Sequence, residues 1–404
     1  MLLLAGSGTA HAQEAHQHVP LTVDPTLDWH ALIDVTLAAH PRNGELTARA
    51  EEAVAWATRG RQWLAAAPSL YFTYLSDGAL DDRAQREYAG GVELPLWRAG
   101  ERVAVRALAR GATAESDAAR ATLRLEVAGL LRGALWDIAA AANANAAAQE
   151  AVAAAAELLR GVERRNASGE LPLADVLLAQ SVLLERQQAA IAMQAQVADA
   201  ERTYQSLTGL QRRPAVFTEH RSVREDFDDT HPLLVLADAA VTRSRAMLDL
   251  TDRAARGNPV VTIGPRRQRD ALTTVFNDSF AIGVKVPVGG KAHAVTQVAQ
   301  EGRLVAEAES ARGLLLRRLD LDLHEAAHTL SVLDGSLALA EQRRDLADRQ
   351  WRMAQSAFAQ GETELRELLR IQESDRSASR EAARLAIERQ RTIAAFNQAL
   401  GETP

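Results

Sequence analysis

Hydrophobic and polar residues alternate with a period of two in short stretches of the chain, and long proline-free spans follow those stretches. In residues 279–288, Phe280, Ile282, Val284, Val286 and Val288 fall on one side, and Ser279, Ala281, Gly283 and Lys285 on the other. In residues 87–96, Tyr88, Val92, Leu94 and Leu96 oppose Glu87, Ala89, Gly91 and Glu93. In residues 68–75, Leu70, Phe72 and Tyr74 oppose Ser69, Tyr71 and Thr73. A fourth, weaker stretch, 259–265, ends at Pro265. Period-two alternation predicts strands. An apolar face set against a small, polar one over about ten residues suits a membrane barrel, although a half-buried soluble sheet alternates in the same way. On the barrel reading Phe280, Ile282, Val284 and Val286 face lipid, and Ser279, Ala281, Gly283 and Lys285 face a lumen. Four strands cannot close a barrel, since the smallest have about eight, and open edges are not tolerated in lipid. Membrane strands here therefore require several chains in one barrel.

The proline-free spans predict helices far longer than the usual three turns. Arg98 to Arg165 would extend about 100 Å at about 1.5 Å per residue. A glycine-containing break ends each span, NASGELP at Gly169 and AQGETE at Gly361, and a return helix follows over 173–207 and 363–400. In the first return helix Val176, Leu183, Ala190, Val197 and Tyr204 repeat every seven residues, and Leu177, Leu184, Ile191 and Ala198 form the next column. That rhythm predicts supercoiled helices. Gln180, Gln187 and Gln194 form a polar column, facing either a water-filled lumen or bulk solvent.

The plan is written twice. His40-Pro41 recurs as His231-Pro232, and Pro68 recurs as Pro259, each 191 residues on. Pro95 matches Pro287, Gly169-Glu170 matches Gly361-Glu362, Gln180 matches Gln372 and Gly209 matches Gly401, each at 192. The first repeat is 27–210, beginning with a helix over about 27–66, and the second is 231–401, with a helix over 233–256. Residues 211–230 link them.

Composition narrows the class. The chain has 404 residues, 47% hydrophobic and 25% charged, which supports a large core. The abundance of alanine favours helix. Net charge is -7 with no basic patch, which speaks against nucleic acid as a partner. There is no cysteine for a disulfide, a thiolate metal site, a nucleophile or a lipid anchor. No run approaches about 20 apolar residues, so no transmembrane helix is expected. Residues 1–12, MLLLAGSGTAHA, resemble a secretory leader cut after Ala12, with 13–26 as an N-terminal extension.

Two motifs suggest other chemistry. His324-Glu325-Ala326-Ala327-His328 is an H-E-x-x-H, in which two histidines share a helix face and a glutamate activates zinc-bound water. A secreted zinc peptidase is thus one alternative, although Ser331 and Gly335 do not continue an extended zinc motif. A structural periplasmic coiled-coil protein is another. Gly289-Gly290-Lys291 fails as a phosphate loop, because Lys285 and Ala292 occupy the positions that require glycine and Ser/Thr.

The duplicated plan of helix, two strands, long helix, glycine break and return helix resembles the TolC family of outer-membrane efflux ducts over nearly the whole mature chain. Its most specific pieces are Pro95 and Pro287 ahead of a long helix, and the breaks GELPLADVLLAQ and GETELRELLRIQ. The resemblance implies a mainly α chain with a small β part, whose homotrimer closes a barrel of roughly twelve strands continuous with a periplasmic α-helical tunnel. It also implies outer-membrane lipid around the barrel, no catalytic residue, no cofactor and no metal. A periplasmic adaptor would dock at Gly169, Glu170, Leu171, Gly361 and Glu362, and an inner-membrane transporter would deliver metal cations or small toxic molecules. His16 and His18 beside Glu14 lean toward the heavy-metal branch. Asp175 and Glu367, each six residues after a tip glycine, match an acidic position of the family. Arg370 stands where some members carry a second acid. These three are the expected pore constriction. Ser76 to Arg86 and Arg266 to Asn277 are the expected extracellular loops.

Overall fold

The computed structural model describes residues 19–79, 83–271 and 273–404. The expected leader and His16 and His18 lie outside them. In chain order the elements are β1 (Thr22–Asp24), α1 (Trp29–Ala39), α2 (Asn43–Arg61), β2 (Ser69–Ser76), β3 (Arg86–Pro95), α3 (Glu101–Ala167), α4 (Leu173–Thr208), β4 (Arg212–Pro214), α5 (Pro232–Ala254), β5 (Val260–Arg269), β6 (Asn277–Lys285), α6 (Lys291–Ala359) and α7 (Leu365–Ala399). Among the described residues no helix is long and apolar enough to cross a membrane.

The chain forms two compact units. The first, His40–Leu125 with Asp226–Asp322, holds the sheet. Its helical core joins Ala104, Val105 and Leu108 of α3 to Leu250 of α5, flanked by Trp56, Trp97 and Met247. Arg102 and Arg106 of α3 both donate to the Gly60 carbonyl, at 3.2 and 3.0 Å, satisfying an end of α2 that has no further turn to bond. Arg243 of α5 ties Glu52 of α2 to Glu115 of α3, at 2.5 and 2.8 Å. His231 caps α5, its Nδ1 accepting from Leu233 N at 3.2 Å, with Pro232 at the first helical position, where no donor is missed.

Strand order in this unit is β2-β3-β5-β6, antiparallel throughout, with β2 and β6 at open edges. The expected helix over 27–66 is instead two helices. Pro41 has no N–H to continue α1, and α2 ends at Arg61, leaving an extended lead into β2. The strand expected to stop at Pro265 continues to Arg269. Pro265 pairs with Phe280 on the β6 side, but the ladder to β3 skips Gly90 and Gly91, and it resumes in the same register at Ala89↔Arg266. β6 stops at Lys285, so Val286 lies beyond it, next to Pro287, which cannot donate to a ladder. Arg266 to Arg269, expected in a loop, are strand residues.

The second unit comprises the chain up to Ala39, Glu126–Glu225 and Leu323–Pro404. Tyr204, Phe396, Leu32, Ile33, Leu131 and Leu135 are among its fully buried side chains. The expected linker contains β4, paired in parallel with β1. It also carries Glu219, whose carboxylate binds Arg132 through two hydrogen bonds of 2.7 and 2.6 Å. Arg132 is 4% exposed and donates further to the Glu402 carbonyl at 3.0 Å. Removing one partner of a buried pair strands the other charge, at a cost of about 3–5 kcal/mol. Arg132→Ala is expected to lower the thermal midpoint of the purified protein well below that of wild type. A midpoint within a degree of wild type would show that the clasp contributes little.

Candidate functional site

The two faces of the sheet differ in chemistry. One carries Leu70, Phe72 and Tyr74 of β2, Tyr88, Val92 and Leu94 of β3, Val261 and Ile263 of β5, and Phe280, Ile282 and Val284 of β6. The register sets them side by side, as in Leu70↔Val92↔Ile263↔Ile282. Many of them are open, with Leu70 85%, Phe72 73%, Phe280 67%, Ile282 70% and Val284 66% exposed, far beyond isolated surface apolar residues. The opposite face carries Ser69, Thr73, Glu87, Glu93, Thr262 and Arg266, and the strand residues Ser279, Ala281, Gly283 and Lys285. Arg266 pairs there with Glu87 at 2.7 Å, and Ser69 donates to Glu93 at 3.0 Å.

Gly91 and Gly264 sit in one row on this polar face. A Cβ on Gly264 would fall on the Gly90 carbonyl oxygen and 2.6 Å from the Gly91 Cα, and one on Gly91 would fall on the Ile263 carbonyl oxygen. β3 and β5 pinch together here, closely enough that only glycine fits. Paired glycines of this kind are a device that lets a sheet curve.

Both glycine breaks have the same backbone logic. Gly169 and Gly361 take φ of +80° and +78°, a left-handed conformation that a side chain disfavours. The following amides turn back on the helix end, Glu170 N to the Arg165 carbonyl at 2.8 Å and Glu362 N to the Ala357 carbonyl at 2.9 Å. Leu171 packs against a shared tip core of Val162, Val176, Ala354, Leu365 and Leu368. Asp175 is half-buried in the first turn of α4. In the first turn of α7 the Glu367 carboxylate binds Arg370 through hydrogen bonds of 2.6 and 2.8 Å, on the exposed surface. These bonds hold the Glu367 carboxyl below the usual range. Among the described residues no hydrogen bond or ion pair joins Asp175 to that pair.

Sequence reasoning missed Arg165. Its guanidinium donates to Glu170 at 3.1 Å within its own tip and to the Phe358 carbonyl at 2.9 Å near the other, and lies 4.9 Å from the Phe358 ring centroid. Hydrogen bonds from Ser168 and then Arg165 hold the Glu170 carboxyl below its ordinary range. The only sequence signal was a basic pair, Arg164-Arg165, in the last turn of α3.

Two helices in this unit carry a second apolar stripe. In α4, Val176, Ala179, Ala190 and Tyr204 are buried, while Leu177, Leu184 and Ile191 are 58%, 66% and 71% exposed. In α6, Leu333, Ala340, Ala347 and Ala354 are buried, while Val332, Leu339, Leu346 and Met353 stand exposed one residue earlier in each heptad. Gln180, Gln187 and Gln194 are exposed.

His324 and His328 stack with parallel rings, 6.4 Å between centroids, on exposed turns of α6. Among the described residues no three His, Asp or Glu side chains converge as metal ligands. Gly289-Gly290 is a turn between β6 and α6.

Residues 48–210 match the family model described as outer membrane efflux protein. No curated protein matches the chain. The fold is similar to the outer membrane protein VceC of Vibrio cholerae, with a TM-score of 0.72, 15% identity, and coverage of 92% of this chain and 96% of that one. It is similar to the CmeC outer membrane channel of Campylobacter jejuni, with a TM-score of 0.71, 13% identity, and coverage of 99% and 94%. The open-state MtrE outer membrane channel of Neisseria gonorrhoeae gives a TM-score of 0.61, 16% identity, and coverage of 97% and 94%.

Proposed function

We propose, on the premise that the chain belongs through residues 48–210 to the outer membrane efflux protein family, that it is the passive exit duct of a tripartite efflux system. The observation that carries this reading is the sheet. An exposed apolar face, a polar face pinched inward at Gly91 and Gly264, and two open edges suit one third of a lipid-embedded barrel. The pinch supports the polar face as the lumen, on geometric grounds that do not use hydrophobicity.

The helical stripes support the same assembly. A helix with two adjacent heptad stripes packs against neighbours on two sides, and so forms part of a wall rather than a simple pair. The open stripes of α4 and α6 differ from each other, which suits a head-to-tail contact between copies, and such contacts form a ring where the rotation closes. We read three copies, with the glutamine column of α4 facing the water-filled interior. An adaptor docks around Gly169, Glu170, Leu171, Gly361 and Glu362, and an inner-membrane transporter loads metal cations or small toxic molecules.

At the tips, Asp175 and Glu367 from three chains form acidic rings around a closed mouth, where repulsion is restrained by Arg370. Planar-bilayer recording tests this directly. Wild-type protein is expected to conduct weakly, and Arg370→Glu to conduct more, because it removes the partner of Glu367 and adds a like charge. Unchanged conductance in low salt would refute the gate. No channel activity from any variant would refute the duct.

A further inference from the structure

The apolar face of the sheet changes character at the end where β2 turns into β3 and β5 into β6. Beyond the Phe72 and Phe280 row comes Tyr74↔Tyr88↔Arg267↔Asp278, and beyond that Ser76↔Arg86↔Arg269. The Tyr74 and Tyr88 rings pack at a tilt of 35°, 5.0 Å between centroids, and Tyr88 lies 6.3 Å from Phe276. The guanidinium groups of Arg267 and Arg269 lie over that same Phe276 ring, 4.9 and 5.2 Å from its centroid. The order apolar, aromatic, cationic is that of a membrane interface, with aromatic rings at headgroup level.

Within these two rows cations outnumber acids. Asp278 is the one carboxylate in the two rows, and it reaches Arg267 at 3.5 Å. Glu87 lies on the opposite face, bound to Arg266. Arg269 donates its Nε to the Ala84 carbonyl at 2.9 Å, which fixes its stem without neutralising it. Arg86 and Arg267 are exposed. Two guanidinium groups are therefore held on one ring, with a third in the same row and one acid among them. Guanidinium forks match phosphate oxygens bidentately.

We propose that Arg86, Arg267 and Arg269 bind the phosphate of a lipid headgroup in the leaflet at this end of the sheet. The site rests on the membrane reading above and adds a specific lipid class to it. Tyr74, Tyr88 and Phe276 set the depth of the headgroup, and the arginines clamp its phosphate from the protein side. Asp278 limits the site to headgroups whose phosphate is open enough to approach Arg269 and Arg86, which favours a monoester.

The test uses the full-length protein purified in detergent, with native mass spectrometry counting bound lipid. The probes are phosphatidic acid, which ends in a phosphomonoester, diacylglycerol, which lacks phosphate, and inorganic phosphate as competitor. Wild type is expected to retain phosphatidic acid at least about tenfold more strongly than diacylglycerol. Arg86→Ala/Arg267→Ala/Arg269→Ala is expected to lose that preference while remaining assembled. Equal retention of both lipids by wild type, or undiminished preference in the variant, overturns the site. Displacement by equimolar inorganic phosphate also overturns it, by showing a site for the free ion. Flotation with liposomes reads the membrane reading separately. Protein that floats but shows no lipid preference defeats only the lipid site, whereas protein that does not float defeats both.

Discussion

Replacing Gly264 by valine is expected to abolish membrane insertion and assembly altogether. The new Cβ would lie on the Gly90 carbonyl oxygen and within 2.6 Å of the Gly91 Cα. Both obstacles are backbone, so no rotamer change relieves the overlap, and β3 must move off β5. That movement breaks the ladder on both sides of the pinch, Val92↔Ile263 and Ala89↔Arg266. Backbone groups freed in lipid cost several kcal/mol each. Gly302, in the body of α6 with nothing within 4 Å of a Cβ, is the matched control. Gly302→Ala is expected to be neutral or slightly stabilising, since alanine is the better helix former by up to about 1 kcal/mol. Heat-modifiable migration of membrane extracts reads both outcomes. A Gly264→Val protein that still inserts and assembles would show that the strands do not approach as described.

The second large effect is expected at the open stripe of α4. Leu184→Glu combined with Ile191→Glu should leave monomers in detergent. Burying a leucine or isoleucine side chain is worth about 1.5–3 kcal/mol, and each ring loses two such residues at every seam. An unpaired carboxylate forced into the seam adds a desolvation cost. Gln187→Glu places a similar charge on the same helix but in the polar column, and assembly should survive it. Light scattering distinguishes the species. If the double variant remains trimeric, α4 does not meet a neighbouring chain, and the sheet edges alone hold the assembly.

Much of this architecture is legible in sequence, because its signals are periodic or stereochemical. Alternation in 279–288 sorts Ile282 from Gly283 without any tertiary knowledge. The glycines at 169 and 361 stand out because long proline-free spans end there. What the sequence hides depends on partners. Whether Pro265 ends a strand depends on whether its nitrogen faces a ladder donor position, and that is set by Gly90 and Gly91, far away in sequence. Three-residue strands such as β1 and β4 are too short to show a period. Arg165 looks like any basic residue in a final helical turn, until folding brings Phe358 beneath it. The Gln180 and Leu184 columns share one helical repeat, and only burial separates Val176 from Leu177.

On the proposed three-chain duct, Arg165 also bears on how many parts the mouth would have. Each chain brings two hairpin tips, and independent tips in a three-chain ring would give six moving bodies and many asymmetric partial openings. The bond from Arg165 to the Phe358 carbonyl, with the shared packing of Val176 and Leu368, fuses the two tips of one chain into a single lever. Such a mouth would have three degrees of freedom instead of six, and a partner gripping either tip would displace both. Two copies of one plan are in this way joined into one mechanical part, by a shared apolar core and by a side chain present in only one of them.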